Sequence, residues 1–131
     1  MHRHLIAILR GITTDEAAAV CDALLSAGIS QIEIPLNSPD PMCTIEMMVK
    51  QYGADARIGA GTVLTCADVD MLAEIGAHMV ISPNMNPEVI ARTKQLGMMS
   101  CPGILTPTEG FAALAAGADM LKLFPADIVG P

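Results

Sequence analysis

The hydrophobic and polar positions of this chain form a recurring unit. A helix-like stretch with one apolar face ends at a glycine, a short and mostly apolar run follows, and a proline closes the unit. Because glycine readily adopts the positive φ of a helix C-cap and proline cannot donate to a sheet, the unit predicts a helix followed by a strand. The glycine-to-proline part of the unit recurs at residues 27–35, 75–83, 96–102 and 116–125.

Six strands are predicted, and helix-length segments separate them. The strands are expected at residues 5–10, 30–35, 57–62, 78–82, 98–101 and 119–124. Helix starts are expected where polar capping residues precede apolar ones, near Thr14, Thr65 or Cys66, Asn86 and Thr106. A single helix between successive strands makes them parallel through right-handed crossovers, so the fold class is α/β, either a (β/α) barrel or a doubly wound sheet.

The chain is short for a complete barrel. Its 131 residues suit one domain, whereas an eight-stranded (β/α)8 barrel takes roughly 200 residues or more. We therefore expect residues 1–131 to form a single incomplete TIM-barrel domain, truncated after about six strands. Unpaired sheet edges would make such an isolated chain unstable, prone to aggregate, or dependent on association.

Composition and charge disfavour several classes of partner. A net charge of −7 does not suit a protein that binds nucleic-acid phosphates or an anionic membrane surface. An aromatic content of 2% does not suit stacking on nucleic-acid bases. No apolar run reaches the roughly 18 residues that span a bilayer, and the apolar run near the start is too short for a signal peptide. We therefore expect a cytoplasmic, enzyme-like domain with neither a nucleic-acid nor a membrane partner.

Neither the cysteines nor the histidines have the spacing of a metal site. The cysteines contain no C-x-x-C pair and are expected to be reduced and mostly packed. They are Cys21, Cys43, Cys66 and Cys101. The histidines are His2, His4 and His78. No metal and no cofactor is expected.

Three charged residues interrupt strands that should be apolar on both faces. Glu33 lies between two isoleucines, Lys122 lies between two leucines, and Arg10 ends the first strand. Each could be a solvated strand end or an edge position, which is a common role for such residues. Since neighbouring strand residues face opposite sides, Glu33 and Lys122 would both face a barrel interior if their apolar neighbours face the helices.

These residue types suit Schiff-base chemistry. The pKa of a lysine in a partly dry pocket falls, and its neutral amine can then attack a ketone. The protonated imine draws electrons from a neighbouring C–C bond, which can break. A carboxylate such as Glu33 could shuttle the protons, and the guanidinium of Arg10 could bind a substrate carboxylate through two hydrogen bonds.

A further candidate is the glycine-containing segment at residues 59–62, at the end of the third predicted strand. It lacks both common phosphate-binding glycine patterns, so close backbone approach is the favoured explanation for its glycines. Thr62 is nevertheless expected in the pocket, at the C-terminal end of the third strand and on the same side as Ile58 and Ala60.

Six strand-end motifs carry a family resemblance. They lie at 6–11 (IAILRG), 33–39 (EIPLNSP), 58–64 (IGAGTVL), 82–84 (SPN), 101–103 (CPG) and 121–126 (LKLFPA). In order, and over essentially the whole chain, they resemble the class I aldolases that cleave 2-keto-3-deoxy-6-phospho sugar acids. Arg10 and the Pro35-Leu36-Asn37 stretch resemble the galactonate branch of that family.

The resemblance implies roles for individual residues. Lys122 would form the Schiff base, Glu33 would be the general acid and base, and Arg10 would bind the carboxylate of the pyruvate portion. Apart from the resemblance, Thr62, from its expected place in the pocket, and Pro83 are predicted to be substrate-binding residues. The implied reaction is reversible cleavage of 2-dehydro-3-deoxy-6-phospho-D-galactonate to pyruvate and D-glyceraldehyde 3-phosphate, in D-galactonate breakdown, by an enzyme that is a homotrimer at full length.

Alternative interpretations remain open. The family holds its substrate phosphate on loops after the last two strands of the barrel, and we expect those strands to be absent here. The chain could act on the 6-phosphogluconate substrate instead, or be an inactive fragment that pairs with another half-barrel. A metal-dependent pyruvate aldolase would use a divalent ion in place of the imine.

Overall fold

The computed structural model describes residues 4–130, and its helices and strands alternate as the recurring unit predicts. The strands are β1 (Ile6–Ile8), β2 (Gln31–Pro35), β3 (Arg57–Gly61), β4 (Met79–Ile81), β5 (Met99–Cys101), β6 (Gly103–Ile104) and β7 (Lys122–Leu123). The helices are α1 (Thr14–Ser26), α2 (Pro41–Tyr52), α3 (Cys66–Glu74), α4 (Pro87–Gln95) and α5 (Pro107–Ala115), followed by a 3₁₀ turn at Ala126–Ile128.

The sheet is parallel, and its strand order follows the chain. Strands β1 to β5 pair in sequence, and β6 pairs with β7. A doubly wound sheet would reverse direction at a switch point, whereas this sequential order is that of a (β/α) barrel. The prediction of an α/β fold of the TIM-barrel type is therefore confirmed, with the chain forming part of such a barrel.

The last two predicted strands are shorter than the sequence suggests. Strand β5 lies within the strand predicted at 98–101, whereas β6 follows Pro102 and lies outside every predicted strand. Pro102 has no N–H to donate, so it separates β5 from β6. Only two residues of the sixth predicted strand pair regularly, in β7. Hydrogen bonds from Asp119 N–H to Ser100 O (3.0 Å) and from Lys122 N–H to Pro102 O (2.9 Å) nevertheless continue the sheet past the break.

Local signals fix the helix ends where the sequence predicts them. The Thr65 N–H donates to the Asp68 carboxylate at 3.2 Å, and the Asp68 N–H donates back to the Thr65 hydroxyl at 3.1 Å. At the other ends, the residues after helices α1, α3, α4 and α5 include glycines with φ between 78° and 104°. These are Gly28, Gly76, Gly97 and Gly117.

Alternation along the strands creates two apolar regions. One lies between the sheet and the helices and includes Ile32, Ile34, Ile58 and Ala60. The other lies on the concave face of the sheet. It comprises Met79, Ile81 and Cys101, with Ile6 and Met99 packed against them. Glu33 points to this second region because its strand neighbours point to the first.

The two outer strands, β1 and β7, leave apolar side chains in contact with solvent. Ile8, Leu123 and Phe124 are exposed beside them, and Phe111 is exposed on α5. The expected instability of the isolated chain stays a prediction. Among residues 4–130, no helix combines the length and the apolar character that a membrane crossing requires.

Candidate active site

Glu33 is a charged residue placed by strand geometry in the interior of the fold. It is the central residue of β2 and is 2% exposed. Its Oε2 atom is buried and accepts no hydrogen bond from residues 4–130. A buried carboxylate without a partner is costly, and native proteins keep such groups mainly where they serve a function.

Lys122 faces the same interior from β7, which is the outer strand at the other edge from β1. It is half-buried in β7, and its Nζ atom lies 4.8 Å from the centre of the Phe124 ring, which provides a cation–π contact. A cavity of about 250 Å³ joins the two residues. Its lining residues are Ile6, Ile8, Glu33, Ile81, Cys101, Met120, Leu121 and Lys122.

The amine and the carboxylate share this cavity without touching. Within the described residues, no basic nitrogen lies within 4.0 Å of the Glu33 carboxylate. The structure therefore brings together two of the predicted site residues and leaves space between them. That arrangement allows a small carbonyl compound to contact both groups at once.

The environment of Glu33 favours its protonated form. Burial raises the pKa of the Glu33 carboxyl above its ordinary value, and the positive charges of Lys122 and Arg10 oppose this only in part. A carboxyl group with a raised pKa can both give and accept a proton nearer to neutral pH. Such a group suits general acid–base catalysis.

We expect Glu33→Gln to stabilise the fold at neutral pH and not in acid. Below about pH 4.5 the wild-type carboxyl is protonated in both the folded and the unfolded chain, so its ionisation costs nothing. As the pH rises through and beyond this value, the unfolded chain loses the proton first, and the wild-type free energy of unfolding falls. Glutamine has no such dependence. Melting temperatures measured from pH 4 to pH 8 should diverge in favour of Glu33→Gln as the pH rises.

The exposed Glu74 supplies the control for this measurement. Glu74→Gln should follow the wild-type pH dependence, because Glu74 lies at the solvent-exposed end of α3. A Glu33→Gln curve parallel to that of the wild type at every pH would show that burial does not disfavour the Glu33 charge.

Arg10 lies at the rim of the site rather than in the cavity wall. It follows β1, is exposed, and donates from Nη1 to the Asn37 side-chain oxygen at 3.0 Å. The loop after β2 therefore orients the guanidinium. The sequence motif at 33–39 contained Asn37, but only as a marker of resemblance. Its contact with Arg10 needs the spatial pairing of β1 with β2.

Thr62 and Pro83 both lie at the C-terminal ends of strands, half-buried. The prediction that Thr62 shares a side with Ile58 and Ala60 inside the barrel is wrong. Ile58 and Ala60 belong to the apolar region under the helices. Thr62 itself lies one residue beyond β3 with a φ of 59°, so strand alternation no longer decides its direction.

Cys101 lines the same cavity, although its sequence position predicted only a packed thiol. It is buried at the end of β5, and all four cysteines are unpaired thiols. Burial raises the pKa of its thiol, Lys122 opposes this rise, and Glu33 reinforces it. Strand alternation could have indicated this position, because Met99 and Cys101 lie on the same side of β5 and both pack on the concave face.

The opposite end of the sheet holds two further hollows, and His78 lies between them. The Nδ1 atom of His78 accepts a hydrogen bond from Ile58 N–H at 3.0 Å. In the part of the chain from His4 to Gly130, no group of three or more His, Cys, Asp or Glu side chains is arranged to hold a metal ion. His2 lies outside the described residues.

Comparison with known proteins places this geometry in a family. The family model for KDPG and KHG aldolases matches residues 1–131. A relative from Rhizobium meliloti (strain 1021), named probable 2-dehydro-3-deoxy-6-phosphogalactonate aldolase, is 53% identical over 131 residues, which is 100% of this chain and 62% of that protein. The chain thus spans about three fifths of that relative.

Solved structures show the same relationship. One described as "Native KDPGal structure" has a TM-score of 0.94 and 49% identity, and the match covers 100% of this chain and 66% of that one. A second is the KDPG aldolase from Legionella pneumophila with pyruvate captured at low pH as a covalent carbinolamine intermediate. Its TM-score is 0.86 at 27% identity, and the match covers 95% of this chain and 60% of that one.

Proposed function

The chain belongs to the KDPG and KHG aldolase family, and from that premise we propose that it carries the Schiff-base centre of a class I aldolase. The observation that carries the proposal is the cavity that Lys122 and Glu33 both line, without an ion pair between them. The Legionella relative, in which pyruvate is captured as a carbinolamine, supports the same chemistry.

In the proposed reaction the Lys122 amine attacks the C2 ketone of the substrate. The resulting carbinolamine takes up a proton and loses water, which leaves a protonated imine. This imine draws the electrons of the C3–C4 bond toward nitrogen as the C4 hydroxyl gives its proton to Glu33. The bond breaks, and the aldehyde product leaves an enamine on Lys122. Protonation of the enamine at C3 and hydrolysis then release pyruvate and the free amine.

The other predicted residues have binding roles in this proposal. Arg10, held by Asn37, binds the carboxylate of the pyruvate portion from the rim. Thr62 and Pro83 contact the same portion from the ends of β3 and β4. No cofactor or metal takes part, because the imine is the electron sink.

The proposed substrate is 2-dehydro-3-deoxy-6-phospho-D-galactonate, which gives pyruvate and D-glyceraldehyde 3-phosphate. The relative named for the phosphogalactonate substrate is 53% identical, whereas the Legionella phosphogluconate enzyme is 27% identical. We further propose that residues 1–131 belong to one domain and that the protein works in the cytoplasm. At full length it would be a homotrimer, as the family resemblance implies.

A comparison of two epimeric substrates tests this assignment. The galactonate and gluconate forms of the substrate differ at C4, which is one end of the bond that breaks. We expect the galactonate form to be cleaved about 10-fold faster or more, since small differences in pocket contacts are worth about 1–3 kcal/mol. Pyruvate release is measured for each epimer at limiting concentration.

Two results would count against the proposal. Equal rates for the two epimers would contradict the choice of substrate. A folded chain that forms no imine with pyruvate would contradict the assignment of the Schiff-base centre.

A further inference from the structure

Two glycines of β3 face the inside of the sheet beside Glu33. Gly59 is the register partner of Glu33, and Gly61 lies two residues further toward the C-terminal end. A glycine within a strand loses packing and conformational entropy, so each of them needs a physical reason. Neither has a positive φ, so the backbone conformation does not require glycine at either position.

The backbone of the neighbouring strand explains Gly59. A Cβ atom at this position would lie 2.0 Å from the carbonyl oxygen of Met79 and 2.8 Å from its carbonyl carbon. Strand β4 therefore leaves no room for a side chain at residue 59.

The carboxyl group of Glu33 explains Gly61. A Cβ atom at residue 61 would lie 2.8 Å from the carboxyl carbon of Glu33 and 2.8 Å from each of its two oxygens. These are its three nearest neighbours, and separations below 3.0 Å are essentially never seen for real Cβ atoms. The Glu33 carboxyl thus occupies the space that any side chain at residue 61 would need.

We propose that Gly61 is a positioning residue for Glu33, because the missing side chain at residue 61 creates the space in which the Glu33 carboxyl is held. The glutamate side chain crosses onto the end of β3 and lies there fully buried, with Oε2 free to contact a bound molecule. A methyl group at residue 61 moves the carboxyl away from this place. Its consequence for proton transfer rests on the proposed aldolase function.

Gly61→Ala tests the position of the carboxyl with a readout that is independent of activity. In a chain labelled with ¹³C at glutamate carboxyls, we expect the Glu33 resonance, identified by its loss in Glu33→Gln, to shift in Gly61→Ala. Gly110→Ala is the matched control. It adds a methyl group on α5 whose nearest neighbours are the flexible side-chain ends of Ile104 and Leu121, at 3.3 and 3.6 Å. It should leave the Glu33 resonance unchanged.

The functional readout separates proton transfer from imine formation. Deuterium exchange at the methyl group of pyruvate requires proton transfer, whereas borohydride trapping requires only the imine. We expect Gly61→Ala to slow exchange by about 10- to 100-fold, the cost of misplacing a reacting group by about 1 Å. Trapping at Lys122 should change less than twofold. A general loss of structure would reduce both alike.

A double variant covers the case in which Gly61→Ala does not fold. Glu33→Ala removes the carboxyl, so Gly61→Ala should cost no further melting temperature in that background. In the wild-type background it should lower the melting temperature by several degrees. An equal loss in both backgrounds, or a double variant that stays unfolded while Glu33→Ala folds, would overturn the proposal.

The positioning role of Gly61 and the proposed aldolase function fail separately. An unshifted Glu33 resonance in folded Gly61→Ala overturns the positioning role, whatever the activity. A folded wild-type chain that neither traps nor exchanges pyruvate overturns the aldolase function, while the resonance and the melting temperatures still decide the role of Gly61.

Discussion

Replacement of Lys122 by alanine is expected to abolish the pyruvate adduct that borohydride traps on the wild-type chain. Reduction of the imine adds the mass of pyruvate, less one water and plus two hydrogens, and the modified peptide should contain Lys122. The chain has three lysines. Of these, Lys50 pairs with Glu46 on the surface at 2.6 Å and Lys94 pairs with Asp119 at 2.8 Å, so Lys122 alone faces the Glu33 cavity.

Cavity geometry is the reason for this expectation. Borohydride joins pyruvate to the chain only where the carbonyl carbon is already bound to nitrogen as an imine, and a stable imine needs an amine held beside the carbonyl in a site of low water content. The variant Lys50→Ala is the matched control, since Lys50 is 72% exposed and its loss should leave the adduct intact. An adduct of unchanged yield in Lys122→Ala would show that the imine forms elsewhere.

Replacement of Glu33 by glutamine should slow deuterium exchange into pyruvate by roughly 10²- to 10⁴-fold, the usual contribution of a positioned acid–base group. Glutamine keeps the shape of the side chain but cannot carry the proton between water and the substrate carbon. Imine trapping should survive in part, because the Lys122 nucleophile is unchanged. Nuclear magnetic resonance of the pyruvate methyl signal in heavy water measures the rate.

The control for this substitution is Glu46→Gln. Glu46 lies on the exposed face of α2 and contacts Lys50, far from the concave face of the sheet. The Glu46→Gln variant should exchange deuterium into pyruvate at the wild-type rate. Wild-type exchange by folded Glu33→Gln would mean that another group, or water alone, moves the proton.

Much of the fold could be predicted because its signals are local. Each helix-to-strand junction needs a residue of positive φ, and the glycines at 28, 76, 97 and 117 mark those junctions in the sequence. The interior position of Glu33 follows from the same kind of reasoning, since it is flanked by two isoleucines in a strand buried on both faces.

The rest of the site depends on neighbours that are distant in sequence. Thr62 departs from strand alternation because its φ is 59°. No residue type in the segment predicts this positive φ. The contact of Arg10 with Asn37 requires β1 and β2 to be adjacent. The position of Cys101 in the cavity wall beside Lys122 requires β5 to lie near β7. Gly61 could be expected to allow close approach, but the approaching group could be identified only in three dimensions.

The hydrogen bond between Ile58 N–H and His78 makes this histidine a natural reporter of sheet assembly. Since Nδ1 accepts the bond at 3.0 Å, the neutral ring must carry its proton on Nε2. The ¹⁵N signals of the two tautomers differ, so one spectrum reads whether β3 and the start of β4 are docked. The reporter lies at the end of the sheet opposite Thr62 and Pro83. It can therefore follow folding of the chain while the other end is mutated, filled with ligand or covalently trapped.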